Sequence, residues 1–185
     1  MLLALAFTPA AVVDRVALVI DKKVFTESEV VDEVRITQFL NGQPLDPGPA
    51  ARHSAADRLV DQELIRRELQ ASGFQQPAAS EADTLLRSFR QSRFRSDADY
   101  QAALKKYGIT EEQLKQHLLW QLTALRFTDQ RFRPEQAAQP ADAASQSADR
   151  VADELATSDV DRQLDAWLKQ ARENVQITFK REAFQ

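Results

Sequence analysis

The side chains best suited to acid–base or metal chemistry are few and scattered in this sequence. The two histidines, His53 and His117, lie far apart, and neither has an aspartate or glutamate at a ligand spacing on a shared face. An imidazole metal site needs at least two more converging ligands. Asp57, Asp61 and Glu63 are spaced as solvated charges along a helix rather than as an acid–base pair. The pattern therefore predicts no catalytic centre, no metal site and no enzymatic activity.

Cofactor and thiol chemistry are equally poorly represented. The chain has only four glycines and no phosphate-binding glycine loop, so we expect no nucleotide and no other cofactor. It has no cysteine, which excludes thiol catalysis, disulfide bonds and thiolate metal sites.

One basic segment, residues 87–95, combines arginines with two phenylalanines, a composition that can bind single-stranded nucleic acid. However, Phe89 continues the apolar helical stripe of Leu85 and Leu86, and the arginines fall outside that stripe. The chain also carries a formal net charge of −4 and a pI near 5.3, which gives no general attraction to nucleic acid or acidic membranes. We therefore interpret the segment as a solvated helix face and expect no nucleic-acid partner.

Short β-type segments stand at the two ends of the chain. Residues 16–20 and 24–25 are apolar runs separated by charged residues, which predicts a hairpin. Residues 175–180 alternate apolar and polar side chains, which predicts a half-buried strand. Because an isolated hairpin is marginally stable, we expect the late strand to pair with it. The predicted fold class is mainly α with a small antiparallel sheet.

Almost everything between these strands has helical periodicity. Capping boxes at Thr26 and Thr110 begin two helices, Ser96 caps another, and Gly73 and Gly108 end two. We expect further helix starts at Ser54 and Ser80 and a last helix that ends near residue 174. The expected buried positions are Val30, Val34, Ile36, Leu59, Val60, Leu64, Leu69, Leu85, Leu86, Phe89, Tyr100, Leu104, Tyr107, Leu114, Leu118, Leu122, Leu125, Val160, Leu164, Trp167, Leu168 and Ala171.

Two segments lie outside this periodic pattern. Residues 1–11 have the apolar run and small-residue end of a secretory signal, and they are too short to span a membrane as a helix. Residues 135–149 are rich in Ala, Gln and Ser, which is typical of a linker. We therefore divide the chain into a signal remnant (1–11), a helical domain (12–134), the linker (135–149) and a closing helix and strand of the same domain (150–185).

Four segments together resemble the SurA-type periplasmic chaperones, and they cover most of the chain in the family's order. Residues 12–30 are similar to the family's opening hairpin and first helix, and residues 56–65 to its second helix. Residues 107–114 are similar to the approach to its long helix, and residues 165–179 to its closing helix and strand. The hairpin turn departs from the family, because Asp21, Lys22 and Lys23 stand where Asn or Gly is common.

The larger departure concerns what separates the long and the closing helix. Relatives insert one or two parvulin prolyl-isomerase domains there, whereas this chain has only residues 135–149. The resemblance therefore implies the SurA N-terminal chaperone module without the isomerase. Its implied role is an ATP-independent periplasmic holdase for unfolded or extended envelope and outer-membrane proteins. The alternatives are an adaptor subunit for a single cell-envelope partner and a degenerate prolyl-isomerase relative.

A holdase needs an open, partly apolar surface for extended clients rather than catalytic residues. We expect no stable membrane insertion, and the sequence does not determine the oligomeric state. The candidate peptide-binding residues lie at loop edges or outside the strongest core stripes, with ordinary core packing as the alternative for each: Phe39, Leu40, Leu45, Phe94 and Tyr100.

Overall fold

Six helices and one small sheet make up the part of the chain that the computed structural model describes, residues 14–132 and 146–185. The strands are β1 (Val16–Ile20), β2 (Lys23–Thr26) and β3 (Ile177–Phe179). The helices are α1 (Glu27–Leu40), α2 (Pro49–Ser72), α3 (Ala79–Arg93), α4 (Asp97–Tyr107), α5 (Glu111–Phe132) and α6 (Gln146–Glu173). A short 3₁₀ helix, Arg181–Phe184, follows β3. The predicted fold class is confirmed.

The sheet joins the two ends of the described chain, as the sequence predicts. β1 is the central strand and pairs antiparallel with both β2 and β3. Leu18 lies opposite Phe25 on one side and Phe179 on the other. The backbone N–H of Lys180 also donates to the carbonyl of Ala17 over 2.8 Å. The hairpin thus gains the third strand that it needs for stability.

Most predicted helix ends are confirmed by their capping hydrogen bonds. Thr26 and Glu29 form a reciprocal capping box, and Thr110 forms the same arrangement with Gln113. Ser96 accepts the Asp99 N–H over 3.1 Å. Gly73 and Gly108 both adopt positive φ at the helix ends.

Three predicted boundaries are wrong. α2 begins at Pro49 instead of Ser54, because proline is well suited to the first helical position, where its missing N–H has no partner to lose. α3 begins at Ala79, because the Glu81 carboxylate accepts the Ala78 N–H over 3.0 Å and replaces the expected Ser80 cap. α6 begins at Gln146, inside the predicted linker 135–149. The rest of that linker and the predicted signal remnant, residues 1–11, lie outside the described residues.

The buried side chains form three hydrophobic clusters. The first cluster joins the sheet to α1, α2 and the 3₁₀ helix, and the second joins the end of α1 to α3, α4 and α5. The third is smaller and contains Ile65, Leu69 and Phe127. Trp167 and Leu168 of α6 pack against both the first and the third cluster.

Two of the expected core leucines are exposed. Leu85 is 41% exposed and Leu125 is 59% exposed. Thr123 and Phe127 of α5 are buried instead, so the buried face of this helix turns toward α2 and α6 beyond Leu118. A straight leucine stripe did not predict this turn, because the late part of α5 packs against different neighbours from the early part.

Candidate functional site

An open groove runs between α2 and α5. It consists of two adjoining depressions of about 570 and 270 Å³, whose walls share Arg66, Gln70 and Gln116. We call this feature the α2–α5 groove. β2 and α1 form the wall at the end of the larger depression.

The end of the groove near β2 has an apolar floor and a largely acidic wall. The floor includes Phe25 and Leu59, both almost completely buried. The charged and amide side chains around it are Lys23, Glu29, Asp32, Glu33, Gln62, Glu63, Arg66 and Gln113. We call this part the acidic end of the groove.

The opposite end is formed mainly by apolar side chains. Leu69, Leu119 and Trp120 line it, together with Thr123 and Gln76. The Arg66 guanidinium lies 5.0 Å from the centre of the Trp120 ring and also pairs with Glu63 over 3.1 Å. We call this part the apolar end of the groove, and Arg66 lies between the two ends.

Three glutamine side chains along the groove have no hydrogen-bond partner within residues 14–132 and 159–185, whose side chains the structure describes. They are Gln62, Gln70 and Gln76, and each is at least partly exposed. A side-chain amide offers two donors and one acceptor, as the main chain of a peptide requires. Apolar floor and unpaired amides together can hold an extended polypeptide with little dependence on its sequence.

A buried carboxylate stabilises the floor of the acidic end. Glu33 is 6% exposed and accepts hydrogen bonds from Arg58 and Thr37, over 3.2 and 3.3 Å. The Nδ1 atom of His117 lies 3.5 Å from the same carboxylate. Burial acts to raise the pKa of Glu33, but the contacts with His117 and Arg58 hold it below its ordinary value. Through these bonds Glu33 connects α1, α2 and α5 beneath the groove.

The residues that the sequence singled out lie elsewhere. Phe39 and Tyr100 are buried in the second cluster, and Leu40 and Phe94 pack against it. The Phe39 ring contacts those of Phe94 and Tyr100, with centroids 5.9 and 6.5 Å apart. Leu45 is half-buried in the loop between α1 and α2, apart from these four. None of these peptide-binding candidates lines the α2–α5 groove, and the sequence predicted peptide binding for none of the residues that do.

Phe94 and Tyr100 also reach a second depression, of about 580 Å³, beside the basic segment 87–95. There the Arg90 guanidinium lies 4.4 Å from the centre of the Tyr100 ring and pairs with Asp97 and Glu111. Burial and the Glu111 carboxylate raise the pKa of Tyr100 above its ordinary value. These carboxylates neutralise Arg90, and the depression therefore offers a mixture of charges rather than a basic surface.

Other kinds of site find little support within the described residues. These residues contain no group of three or more His, Asp and Glu side chains that could hold a metal ion. His53 stacks on Phe184 with centroids 4.5 Å apart, which is a packing contact. None of the described helices has the length and apolar character that crossing a membrane requires.

Comparison with known proteins gives no family for this chain. No protein-family model matches the sequence, and no curated protein matches it at a significant level.

Proposed function

We propose that this protein is an ATP-independent chaperone that holds unfolded or extended polypeptides in the α2–α5 groove. The observation that carries the proposal is the combination of an apolar floor with three unpaired glutamine amides in one open groove. Apolar contacts supply non-directional affinity, and the amides hydrogen-bond to a main chain of any sequence. We place the protein, on the resemblance of its sequence, with the SurA-type chaperone modules that lack an isomerase domain.

The proposed clients are envelope and outer-membrane proteins on their way through the periplasm. This localisation rests on the resemblance and on the signal-like residues 1–11. Affinity for each client segment is modest, because ordering an extended chain offsets much of the gain from the contacts. Modest affinity suits a holdase, since a client must leave again without an energy source.

The test is light scattering of several unrelated unfolded proteins, including an outer-membrane protein, with and without this protein. We expect delayed aggregation at a stoichiometric ratio without ATP. Gln70→Trp fills the middle of the groove and should raise the concentration needed for protection at least about threefold, as expected when the central contacts of a binding surface are lost. Gln170→Trp is the matched control, because Gln170 is exposed on α6 outside the groove.

Two results would favour the alternatives. Catalysed cis–trans exchange of a proline peptide above the uncatalysed rate would point to the degenerate isomerase relative. A lack of protection for every client, together with one tight partner from the cell envelope, would point to the adaptor subunit. Equal protection by Gln70→Trp and Gln170→Trp would move client binding away from the groove.

A further inference from the structure

We infer that the two ends of the α2–α5 groove bind different side chains. The groove therefore selects segments that carry an apolar side chain and a basic side chain at a set spacing. This inference rests on the proposed function and adds the chemical class of the client segment. The apolar side chain lies at the apolar end beside Trp120, and the basic side chain lies at the acidic end beside α1.

The charges at the acidic end support a cationic occupant. Four carboxylates and two cations line this end, which leaves a net formal charge of −2 (two positive minus four negative). Glu33 is buried and already bound to Arg58, and Glu63 pairs with Arg66 and Arg67. Glu29 and Asp32 therefore provide the negative charge that faces an occupant, while Lys23 lies 5.0 Å from the centre of the Phe25 ring.

Glu29 has no cationic partner among the described side chains of residues 14–132 and 159–185. Its exposed carboxylate accepts only the Thr26 N–H of the capping box, over 2.7 Å. Asp32 pairs with Arg35 over 3.2 Å and accepts the Gln113 side-chain amide over 2.9 Å. A guanidinium or ammonium group of the occupant would give Glu29 the cationic partner that residues 14–132 and 159–185 do not supply.

The apolar end lacks acidic side chains, and its single cation is already engaged. Of its lining residues only Arg66 is charged, and that guanidinium is shared between Glu63 and the Trp120 ring. A basic side chain of the client would find no counter-charge there and would lose hydration against Leu69 and Leu119. An apolar side chain would instead gain contacts with these residues and with Trp120.

The geometry of α2 sets the spacing between the two side chains. Leu59 lines the acidic end and Leu69 lines the apolar end, and these residues are ten positions apart on one helix. At a rise of 1.5 Å per residue they are about 15 Å apart along the axis. An extended chain advances about 3.3 Å per residue and so spans this length in about five residues.

The test uses three labelled twelve-residue peptides in fluorescence anisotropy at low ionic strength. Each has two adjacent leucines in a Gly, Ser and Gln background. The first has an arginine five positions away from the leucines, the second has a glutamate there, and the third has the arginine only two positions away. We expect the first to bind about tenfold more tightly than the second and about threefold more tightly than the third, from one exposed ion pair gained and one repulsion avoided.

The matched variant is the double substitution Glu29→Gln and Asp32→Asn, which removes both charges. Glutamine at position 29 keeps the acceptor of the capping box, so α1 retains its start, which circular dichroism checks. In this variant the preference for the arginine peptide should fall to about twofold or less. Glu182→Gln, an exposed carboxylate on the 3₁₀ helix, is the control and should keep the full preference.

The outcomes separate this inference from the proposed function. Equal binding of all three peptides, or an unchanged preference in the double variant, would overturn the inference that the two ends of the groove bind different side chains. The chaperone proposal would still stand. Failure to bind any of the peptides, together with no protection of clients from aggregation, would overturn both.

Discussion

Glu33 connects three helices beneath the groove through the contacts of its carboxylate. Its buried carboxylate is bonded to Arg58 of α2 and lies beside His117 of α5, while Glu33 itself belongs to α1. A buried carboxylate that lost these partners would keep its desolvation cost without compensation. The position of Glu33 therefore couples the stability of the groove to the ionisation of one side chain.

We expect Glu33→Gln to lower the free energy of unfolding by about 1–2 kcal/mol at pH 7, because Arg58 loses its charge partner and His117 loses the carboxylate beside it, while Arg58 still reaches solvent. The folded state holds the pKa of Glu33 below its ordinary value of 4.5. The stabilising contribution is therefore complete above about pH 4.5 and is lost as the pH falls through the lower folded pKa. Urea unfolding of both proteins between pH 7 and pH 3 measures this.

The difference between the two proteins should shrink toward acid pH, since protonation removes the charge from the wild-type protein as well. Subtracting the variant's free energy of unfolding from that of the wild type at each pH isolates the contribution of Glu33. The contributions of Asp14, Asp21 and Glu81, whose pKa values are also lowered, cancel. Glu182→Gln serves again as the control and should show no difference at any pH. A difference that stays constant down to pH 3 would contradict the role assigned to Glu33.

Among single residues, the sequence indicated which side chains pack in the core more clearly than it indicated which ones line the groove. Phe39, Tyr100 and their neighbours stand out by residue type, but aromatic side chains of this size are buried wherever a core can accommodate them. Gln62, Gln70 and Gln76 carry no such signal, because exposed glutamines are common on every helix. Their meaning depends on the gap between α2 and α5, which only the tertiary structure defines.

Among the elements, the hairpin turn shows how a local irregularity is anchored. Asp21 has φ +53°, the single non-glycine residue with positive φ among those described. Its N–H donates to the Gln176 carbonyl, and its carboxylate accepts the Gln176 N–H over 2.9 Å and pairs with Arg67. Aspartate tolerates this conformation better than lysine does. The unusual turn residues noted in the sequence thus place the strained position on Asp21.

We expect Asp21→Ala to loosen the attachment of β3 to the hairpin, since alanine disfavours positive φ and its side chain can neither accept the Gln176 N–H nor pair with Arg67. Amide hydrogen exchange in β3 should accelerate by about tenfold, while exchange in the middle of α5 stays unchanged. Asp21→Asn keeps both the tolerance of positive φ and an acceptor, and should have a smaller effect. Lys22→Ala, in the same turn, is the control. Equal acceleration by the Lys22 variant would show that the turn, and not Asp21, holds β3.

Helix starts depend on residues close in sequence, whereas the buried face of a helix depends on which other helix packs against it. The starts at Thr26, Ser96 and Thr110 were predictable, because their capping residues act within three positions along the chain. The exposure of Leu125 was not predictable in this way, because it depends on which helix lies beside the end of α5. The three-stranded antiparallel sheet was predictable from alternation at both ends of the sequence and the need of a hairpin for a third strand, whereas the pairing of β3 with β1 instead of β2 is defined only by the structure.

For the molecule as a whole, Trp167 connects regions that otherwise have separate cores. It packs against the first cluster and lies in the third, where its ring is 5.8 Å from that of Phe127. The Arg131 guanidinium lies 5.8 Å from the same ring. Through Trp167 and the neighbouring Leu168, α6 ties the sheet-bearing part of the protein to the end of α5.

We expect Trp167→Ala to lower the free energy of unfolding by about 3 kcal/mol, at the low end for a buried tryptophan because the ring is half-buried. Guanidinium unfolding followed by circular dichroism measures the loss. Leu125→Ala is the control, since an exposed leucine should change the stability by less than about 0.5 kcal/mol. A loss below about 1 kcal/mol for Trp167→Ala would show that the two clusters do not depend on this contact.

The pairing of β1 with β3 affects how the protein can fold during its synthesis. Residue 17 pairs with residue 180, so β1 leaves the ribosome well before its partner strand β3 is synthesised. Until then Leu18, Ile20 and Phe25 have no complete cover, because Ala183 and Phe184 of the same cluster have not yet been synthesised. Such distant contacts form slowly, and exposed strands invite mispairing in the interval. A protein proposed to hold the unfolded chains of other proteins thus exposes apolar strands of its own during its synthesis.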